Sequence, residues 1–115
     1  MGYKIDELSL FFPAYNEEAN AKKTILKAKK VLEKTAKKWE IVVVNDGSKD
    51  KTKEIVEKLQ KDDRRIKLIN HKVNRGYGGA FKSGLYGSKY IWITFTDIDG
   101  QFDFSEFDKF IEKLE

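Results

Sequence analysis

The order of apolar runs along the chain constrains its fold more than any other feature. Four short apolar runs, each long enough for one strand, alternate with segments in which apolar residues recur every three or four positions, as they do on one face of a helix. Successive strands of one sheet that are joined by helices pair in parallel, through right-handed crossovers. The sequence therefore predicts an α/β protein with an open, mostly parallel four-stranded sheet and helices on both faces. The four runs are Leu8–Phe12, Glu40–Val44, Ile66–Ile69 and Tyr90–Thr96.

The segments between the runs carry helical periodicity. Ala21, Ile25, Ala28 and Leu32 are spaced four, three and four residues apart, which predicts an amphipathic helix that ends before Trp39. Further helices are expected near residues 52–61, after a glycine-rich loop at residues 74–79, and over the last residues of the chain. The first run is expected to stop at Pro13, because proline has no N–H to donate to a strand ladder.

Strand order adds an expectation about partners. In the order 3-2-1-4 the fourth strand lies at an edge of the sheet, although its sequence, Tyr90–Thr96, is apolar enough for both faces to be buried. An apolar edge strand is a surface for pairing. We therefore expect that the chain forms a homodimer, or joins a missing C-terminal half, through this strand. Trp39 and Trp92 lie at strand positions, and we expect both of them in the core.

Length and composition place the chain among globular proteins. Its 115 residues fit one domain, 1–115, and 40% of them are hydrophobic and 37% charged. The absence of cysteine excludes disulfides, thiolate metal sites and a cysteine nucleophile, and it fits a reducing compartment. No secretory signal begins at Met1, and no apolar stretch reaches about 18 residues. We expect no membrane span and a cytoplasmic location, including the cytoplasmic face of a membrane.

The net charge of +4 does not indicate nucleic-acid binding. The lysines of the first helix are mixed with glutamate and lack interleaved aromatic residues, so they predict a solvated helix face. Acidic residues concentrate at the other end, where residues 97–115 carry seven acidic and two basic side chains. His71 is the only histidine, and we expect an exposed loop residue there, with no histidine-based triad and no histidine-rich metal site.

The loops that follow the strands are the expected place for chemistry. Ligands of open parallel sheets bind beyond the carboxyl ends of the strands, and three of the four loops there contain carboxylates. Carboxylates repel a phosphate unless a divalent cation lies between them. The loops are residues 13–17, 45–48, 71–79 and 97–101.

Two common nucleotide-binding motifs are absent from these loops. The turn after the first strand contains no glycine, which excludes the dinucleotide fingerprint at the place where it would have to lie. Lys82 and Ser83 resemble the end of a P-loop, but Phe81 stands where that motif requires glycine. An NAD-dependent dehydrogenase and a P-loop NTPase are therefore not favoured.

The pair Asp97-x-Asp99 follows the fourth strand and offers two hard oxygen ligands. Such ligands suit Mg²⁺ or Mn²⁺ that bridges a diphosphate. The same pattern also occurs in many solvated turns, so both interpretations stay open for the pair alone.

The four loops taken together resemble the signatures of family 2 glycosyltransferases with the GT-A fold, in which a Rossmann-like half binds the nucleotide. They occur in the order of that family, and polyprenyl-phosphate sugar synthases are the most similar members because Gln101 follows the second aspartate. The segments that carry the resemblance are Pro13–Glu18, Val42–Asp50, Asn74–Ala80 and Thr96–Asp103.

The resemblance implies a nucleoside-diphosphate sugar as donor, with UDP or GDP as the nucleotide, and inverting sugar transfer to a polyprenyl phosphate or a glycan. It covers only the donor-binding half of the family's domain. The alternative is therefore a non-catalytic module that binds a nucleotide or a nucleotide sugar.

The resemblance also implies roles for individual residues. Asp97 and Asp99 would be catalytic, with Asp97 facing the ribose or the phosphates and Asp99 ligating Mg²⁺ or Mn²⁺, close to Gln101. Arg75 and Gly76 would lie on the phosphate side. The remaining nucleotide-binding residues would be Pro13, Tyr15, Glu17, Val44 and Asp46.

Overall fold

The computed structural model describes residues 5–98. The predicted fourth helix, Asp99 and Gln101 lie outside this range. Four strands, β1 (Ile5–Ala14), β2 (Ala36–Asp46), β3 (Ile66–His71) and β4 (Trp92–Phe95), form one sheet in the order β3-β2-β1-β4. All neighbouring strands are parallel. Three helices connect them, namely α1 (Ala21–Thr35), α2 (Thr52–Asp62) and α3 (Gly76–Gly87). The predicted fold class and strand order are confirmed.

The two faces of the sheet bury separate clusters of side chains. On β1, Leu10 and Phe12 point toward α1 and α2, whereas Phe11 between them points toward α3. On β2, Val43 and Val44 divide in the same way. This alternation is the two-residue period of a strand, and it confirms that helices cover both faces.

Two element boundaries differ from the sequence predictions. β1 continues through Pro13 to Ala14, because β4 pairs with β1 only as far as Phe11 and leaves one side of the later backbone without a partner strand. α3 begins at Gly76, so most of the glycine-rich segment predicted as a loop is the first turn of this helix. Glycine is costly inside a helix, which is why the sequence pattern favoured a loop.

The fourth strand is less buried than its sequence predicts. Among residues 5–98, β4 pairs only with β1 and lies at the edge of the sheet. Ile91 is 84% exposed, Trp92 is 47% exposed, and the expectation that Trp92 lies in the core is wrong. Trp39 is buried, as expected. Coverage of this apolar edge by a second copy or a further half of the protein stays a prediction.

Within residues 5–98, none of the helices has the length and apolar character needed to cross a membrane.

Candidate functional site

A cleft of about 400 Å³ lies at the carboxyl ends of the strands. The loops after β1, β2 and β4 and the start of α3 meet there, as the topology of an open parallel sheet requires. Its walls are formed by Pro13, Ala14, Tyr15, Glu17, Asp46, Asn74, Gly76, Tyr77, Ala80, Asp97 and Ile98.

All charged side chains among the described lining residues of this cleft are acidic. Three carboxylates, those of Glu17, Asp46 and Asp97, line it, and no lysine or arginine is among its lining residues in the described part of the chain. Tyr15 and Tyr77 add two exposed aromatic rings. The site therefore offers hydrogen-bond acceptors and stacking surface, and it repels an uncompensated anion.

The loop after β1 is held by the loop after β2. Asn16 has a φ of +52°, in the left-handed region that asparagine tolerates. Its backbone N–H donates to Ser48 Oγ at 2.9 Å, and its side-chain oxygen accepts from the Lys49 N–H at 2.8 Å. Asn16 and Ser48 thus join the loops and leave the neighbouring Tyr15 and Glu17 free to line the cleft.

A second set of contacts fixes the same two loops. The Glu17 N–H donates to Thr52 Oγ1 at 2.8 Å, and the Glu18 N–H donates to the Asp50 carboxylate at 3.1 Å. Asp50 also accepts from the Thr52 backbone at 2.9 Å, at the first residue of α2. The acidic residues Glu18 and Asp50 are therefore engaged in loop structure and are absent from the cleft lining.

Asp46 is the most constrained carboxylate of the cleft. It ends β2 and is 4% exposed. Its Oδ1 accepts from the Arg75 backbone N–H at 2.8 Å and lies 2.9 Å from His71 Nδ1. Burial raises the pKa of Asp46, but the hydrogen bonds from Arg75 and His71 outweigh burial, so the pKa lies below its usual value. The carboxylate is ionised at neutral pH.

His71 is not the exposed loop residue that we expected. It ends β3, is 3% exposed, and contacts Asp46 through Nδ1 and Ser83 Oγ through Nε2 at 2.7 Å. No histidine-based triad was expected because the chain has a single histidine, but one histidine suffices to join a carboxylate to a hydroxyl, as His71 joins Asp46 to Ser83. Neither His71 nor Ser83 lines the cleft.

The loop after β4 is anchored by the residue between the two aspartates. Ile98 is 1% exposed and belongs to the cluster on the α1 and α2 face of the sheet. Its neighbour Asp97 is exposed at the cleft. Burial of Ile98 therefore fixes the backbone from which Asp97 projects.

The other predicted site residues divide into two groups. Pro13, Tyr15, Glu17 and Gly76 line the cleft together with the carboxylates already described. Val44 is fully buried in the cluster on the α3 face and does not line the cleft. Arg75 is exposed just before α3, and its backbone, not its side chain, contacts the site. Asp99 and Gln101 lie outside the described residues.

Asn74 is a site residue to which the sequence assigned no role. Its side-chain N–H donates to the Asp46 carbonyl oxygen at 3.0 Å, and its side-chain oxygen accepts from the Gly76 N–H at 2.9 Å. It thereby ties the start of α3 to the end of β2. An asparagine two residues before a glycine at a helix start is a turn signal that could have indicated this bridge.

The described residues fit a divalent metal only in part. The Asp97 carboxylate is a hard oxygen ligand at the cleft, as Mg²⁺ and Mn²⁺ prefer. Within residues 5–98, however, no three Asp, Glu, His or Cys side chains lie close enough together to hold a metal ion. A metal site would therefore need Asp97 together with ligands from the following residues, of which Asp99 and Gln101 are the predicted ones.

A second, larger groove of about 730 Å³ lies beside the edge strand β3, lined in part by Lys61, Arg64 and Lys67. None of the predicted site residues contributes to it, and it lies along β3 and α2 instead of at the carboxyl ends of the strands. Its size alone does not make it the functional site.

Gly47 is predicted to be essential for the shape of the cleft. Its φ is +73°, and a Cβ at this position would lie 2.5 Å from the backbone nitrogen of Asn74. We expect Gly47→Ala to cost about 1–3 kcal/mol of unfolding free energy, because the substitution adds backbone strain and pushes away the segment that holds Asp46. Urea denaturation measures this cost.

Gly78→Ala is the matched control for Gly47→Ala. A Cβ at Gly78 would meet nothing within 4 Å, and the residue lies in α3. Alanine is favoured over glycine in a helix, so this variant should be as stable as the wild type or slightly more stable. Equal stability of the two variants would show that the close approach at Gly47 carries no cost.

Comparisons with known proteins agree with this arrangement of motifs. A dolichyl-phosphate beta-glucosyltransferase from Trichomonas vaginalis is 40% identical over 106 residues, which are 88% of this chain and 33% of the relative. The dolichyl-phosphate beta-glucosyltransferase of Homo sapiens is 36% identical over 116 residues, 95% of this chain and 35% of the relative. The chain thus spans about one third of the length of these relatives.

Solved structures show the same fold. A mannosyltransferase from Pyrobaculum calidifontis, in complex with GDP-Man and Mn²⁺, superposes with a TM-score of 0.70 at 23% identity, over 80% of this chain and 27% of that chain. S. aureus TarS 1–349 in complex with UDP-GlcNAc superposes with a TM-score of 0.70 at 25% identity, over 93% of this chain and 31% of that chain. The fold is therefore that of part of a GT-A glycosyltransferase, about 27–31% of these two chains. The sequence pattern of "Glycosyl transferase family 2" matches residues 9–115, and the chain belongs to that family.

Proposed function

We propose that this protein binds a nucleoside-diphosphate sugar with a divalent metal in the cleft at the carboxyl ends of the strands, and that it acts in inverting transfer of the sugar. The observation that carries this proposal is the charge of the cleft, where three carboxylates and no lysine or arginine are among the described lining residues. Such a lining repels a bare diphosphate and accepts one that is paired with a metal ion.

The nucleoside is proposed to bind between Tyr15 and Asp46. The Tyr15 ring offers a surface for stacking, and the Glu17 and Asp46 carboxylates can accept hydrogen bonds from ribose hydroxyls and from the base. Among residues 5–98, His71 and the Arg75 N–H both contact Oδ1 of Asp46, and we propose Oδ2 as the oxygen that accepts from the ligand.

One remaining carboxylate oxygen favours uracil over guanine. Uracil presents a single N–H between two carbonyl groups, which matches one acceptor. Guanine presents two adjacent donors, N1–H and the exocyclic amine, which match a carboxylate with both oxygens available. We therefore propose UDP, not GDP, as the nucleotide of the donor.

The diphosphate is proposed to lie near Asp97. This exposed carboxylate would share a Mg²⁺ or Mn²⁺ ion with Asp99, with Gln101 nearby, and Arg75 and Gly76 would lie on the phosphate side. The bound metal would neutralise the charge that develops on the leaving diphosphate. Asp97 contributes a fixed negative group at the cleft, held there by the burial of Ile98.

The acceptor is proposed to be a polyprenyl phosphate, which the names of the two dolichyl-phosphate relatives support. We place the reaction in the cytoplasm or at the cytoplasmic face of a membrane, where a chain without cysteine is suited to the reducing conditions. The exposed apolar edge at β4 supports a further expectation, that a second copy or another part of a longer protein covers it.

Calorimetry with UDP and GDP, each with and without Mn²⁺, tests the donor site. We expect UDP to bind at least tenfold more tightly with Mn²⁺ than without it, and more tightly than GDP. Asp62→Asn, at an exposed position at the end of α2, is a control that should bind like the wild type. Binding of UDP that is independent of metal would contradict the proposed function.

A non-catalytic nucleotide-binding module is the alternative, and binding alone does not separate it from an enzyme. Release of glucose from UDP-glucose, or its transfer to dolichyl phosphate, distinguishes the two. A transferase shows one of these reactions with Mn²⁺ present, whereas a module binds the donor and leaves it intact.

A further inference from the structure

We propose that His71 and Ser83 are positioning residues that hold the Asp46 carboxylate in the orientation that reads the base. This inference rests on the proposed function, because it concerns the same carboxylate. None of the family signatures that led to the site includes His71 or Ser83 in a role.

The three side chains form a continuous chain of hydrogen bonds across three elements. Asp46 is the last residue of β2, and His71, the last residue of β3, is its partner in the strand register. Ser83 lies in α3, which packs on the sheet. His71 Nδ1 lies 2.9 Å from Asp46 Oδ1, and His71 Nε2 lies 2.7 Å from Ser83 Oγ. Asp46 and His71 are each more than nine-tenths buried.

The chemistry of the partners assigns the proton at Nδ1. An ionised carboxylate only accepts hydrogen bonds, so Nδ1 must carry the hydrogen that it donates to Asp46. In the neutral ring Nε2 then accepts from the Ser83 hydroxyl. The carboxylate thereby sets the tautomer, and the contact with Ser83, whose hydroxyl can donate or accept, holds the ring in its orientation.

Access excludes a nucleophilic role for Ser83. Neither Ser83 nor His71 lines the cleft, and Ser83 lies within a helix that packs on the sheet. A nucleophile must reach its substrate. The arrangement therefore resembles a Ser-His-Asp triad only in its order of contacts, and its effect passes through Asp46.

The effect on Asp46 is to fix which oxygen faces the ligand. His71 and the Arg75 N–H both contact Oδ1, and Asp46 lines the cleft, so Oδ2 is the oxygen proposed to accept from the ligand. Without the His71 bond the carboxylate retains only one of these two restraints and can rotate. Uracil, whose N–H needs an acceptor oxygen at a defined position, would then bind less tightly.

Four variants of the described chain test the inference by calorimetry with Mn²⁺. We expect His71→Ala to weaken UDP binding about tenfold, the effect of one hydrogen bond to a charged group, and Ser83→Ala to weaken it less. His71→Asn places an amide N–H near the position of Nδ1 and should restore most of the affinity. His71→Gln places its amide near the position of Nε2 and should not.

A second ligand separates positioning of the base from general damage. Pyrophosphate with Mn²⁺ has no base, so its binding should be equal in the wild type and in all four variants. Thermal unfolding of each variant shows whether the fold is retained under the conditions of the titrations.

The outcomes distinguish this inference from the proposed function. If the wild type bound neither UDP nor GDP, the proposed function would fail and the inference would fall with it. If the wild type bound UDP and His71→Ala bound it equally well, only the inference would be overturned. Equal losses for UDP and pyrophosphate would assign His71 a structural role and would also overturn it.

Discussion

Asp46→Asn is expected to weaken UDP binding by about tenfold to a hundredfold while the protein stays folded. The substitution keeps one oxygen, which the His71 and Arg75 donors hold at the position of Oδ1. The new amide N–H₂ group then takes the position of Oδ2. The amide N–H₂ of the new asparagine would then face the N–H of uracil. Two donors repel each other, and neither would have an acceptor.

The same geometry predicts an inverted preference for a second nucleotide. Cytosine has an acceptor nitrogen where uracil has N–H, so CDP should bind poorly to the wild type and better to Asp46→Asn. Calorimetry of UDP and CDP with Mn²⁺ against both proteins measures the four affinities. A parallel loss of both nucleotides, with a lower unfolding temperature, would show that Asp46 serves the fold and does not read the base.

The placement of the cleft could be predicted from the sequence because it follows from topology. Parallel strands end at one edge, so the loops that contain Tyr15, Asp46 and Asp97 must converge once the strand order is known. The carboxylates in these loops predict hydrogen-bond acceptors and an anionic ligand that binds together with a metal ion. The structure confirms the expected strand order, 3-2-1-4.

The contacts of His71 could not be predicted in the same way. Its partners Asp46 and Ser83 are 25 and 12 residues away in the chain, and they meet it only through the β2–β3 register and the packing of α3. A lone histidine after an apolar run has no periodicity that indicates these neighbours. The sequence therefore predicts for His71 the commonest environment of a loop residue, exposure to solvent.

Burial of the fourth strand was overestimated for a related reason. An apolar run indicates that a strand is suited to burial, but its exposure depends on what packs against it. Ile91 and Trp92 are exposed, and in the described part of the chain β4 has only β1 as a neighbour. The apolar residue types of β4 are visible in the sequence, but the exposure of their side chains depends on which elements pack against the strand.

Glu40→Ala is expected to produce the largest loss of stability, about 2–4 kcal/mol of unfolding free energy. Glu40 is 1% exposed in β2 and accepts from Ser9 Oγ at 2.6 Å and from the Lys89 N–H at 2.7 Å. Its second oxygen lies 2.9 Å from Lys67 Nζ. Ser9 Oγ in turn accepts from the Tyr90 N–H at 3.1 Å. One carboxylate thus joins three strands to the segment before β4.

Removal of this carboxylate leaves the buried Ser9 hydroxyl and the part-buried Lys89 N–H without their acceptor. The unpaired donors and the cavity both cost free energy, whereas Lys67 is partly exposed and can turn to solvent. Glu40→Gln keeps the volume and one acceptor oxygen, so it should lose less stability than Glu40→Ala. Urea denaturation at pH 7 gives both values, and equal losses for the two variants would show that volume, not hydrogen bonding, determines the effect.

Acidification is expected to remove the same contribution from the wild type. Burial raises the pKa of Glu40, but the hydrogen bonds from Lys89, Ser9 and Lys67 outweigh burial, and the pKa in the folded protein lies below its ordinary value of 4.5. A carboxyl group with a lowered folded pKa contributes stability above its unfolded pKa and loses it as the pH falls through the folded pKa. The unfolding free energy of the wild type should therefore fall with pH below about 4.5, while Glu40→Gln, which has no proton to bind there, should show a shallower fall. If the unfolding free energies of the wild type and of Glu40→Gln fell equally with pH, ionised Glu40 would not be the group that stabilises the contacts between the sheet and the segment before β4.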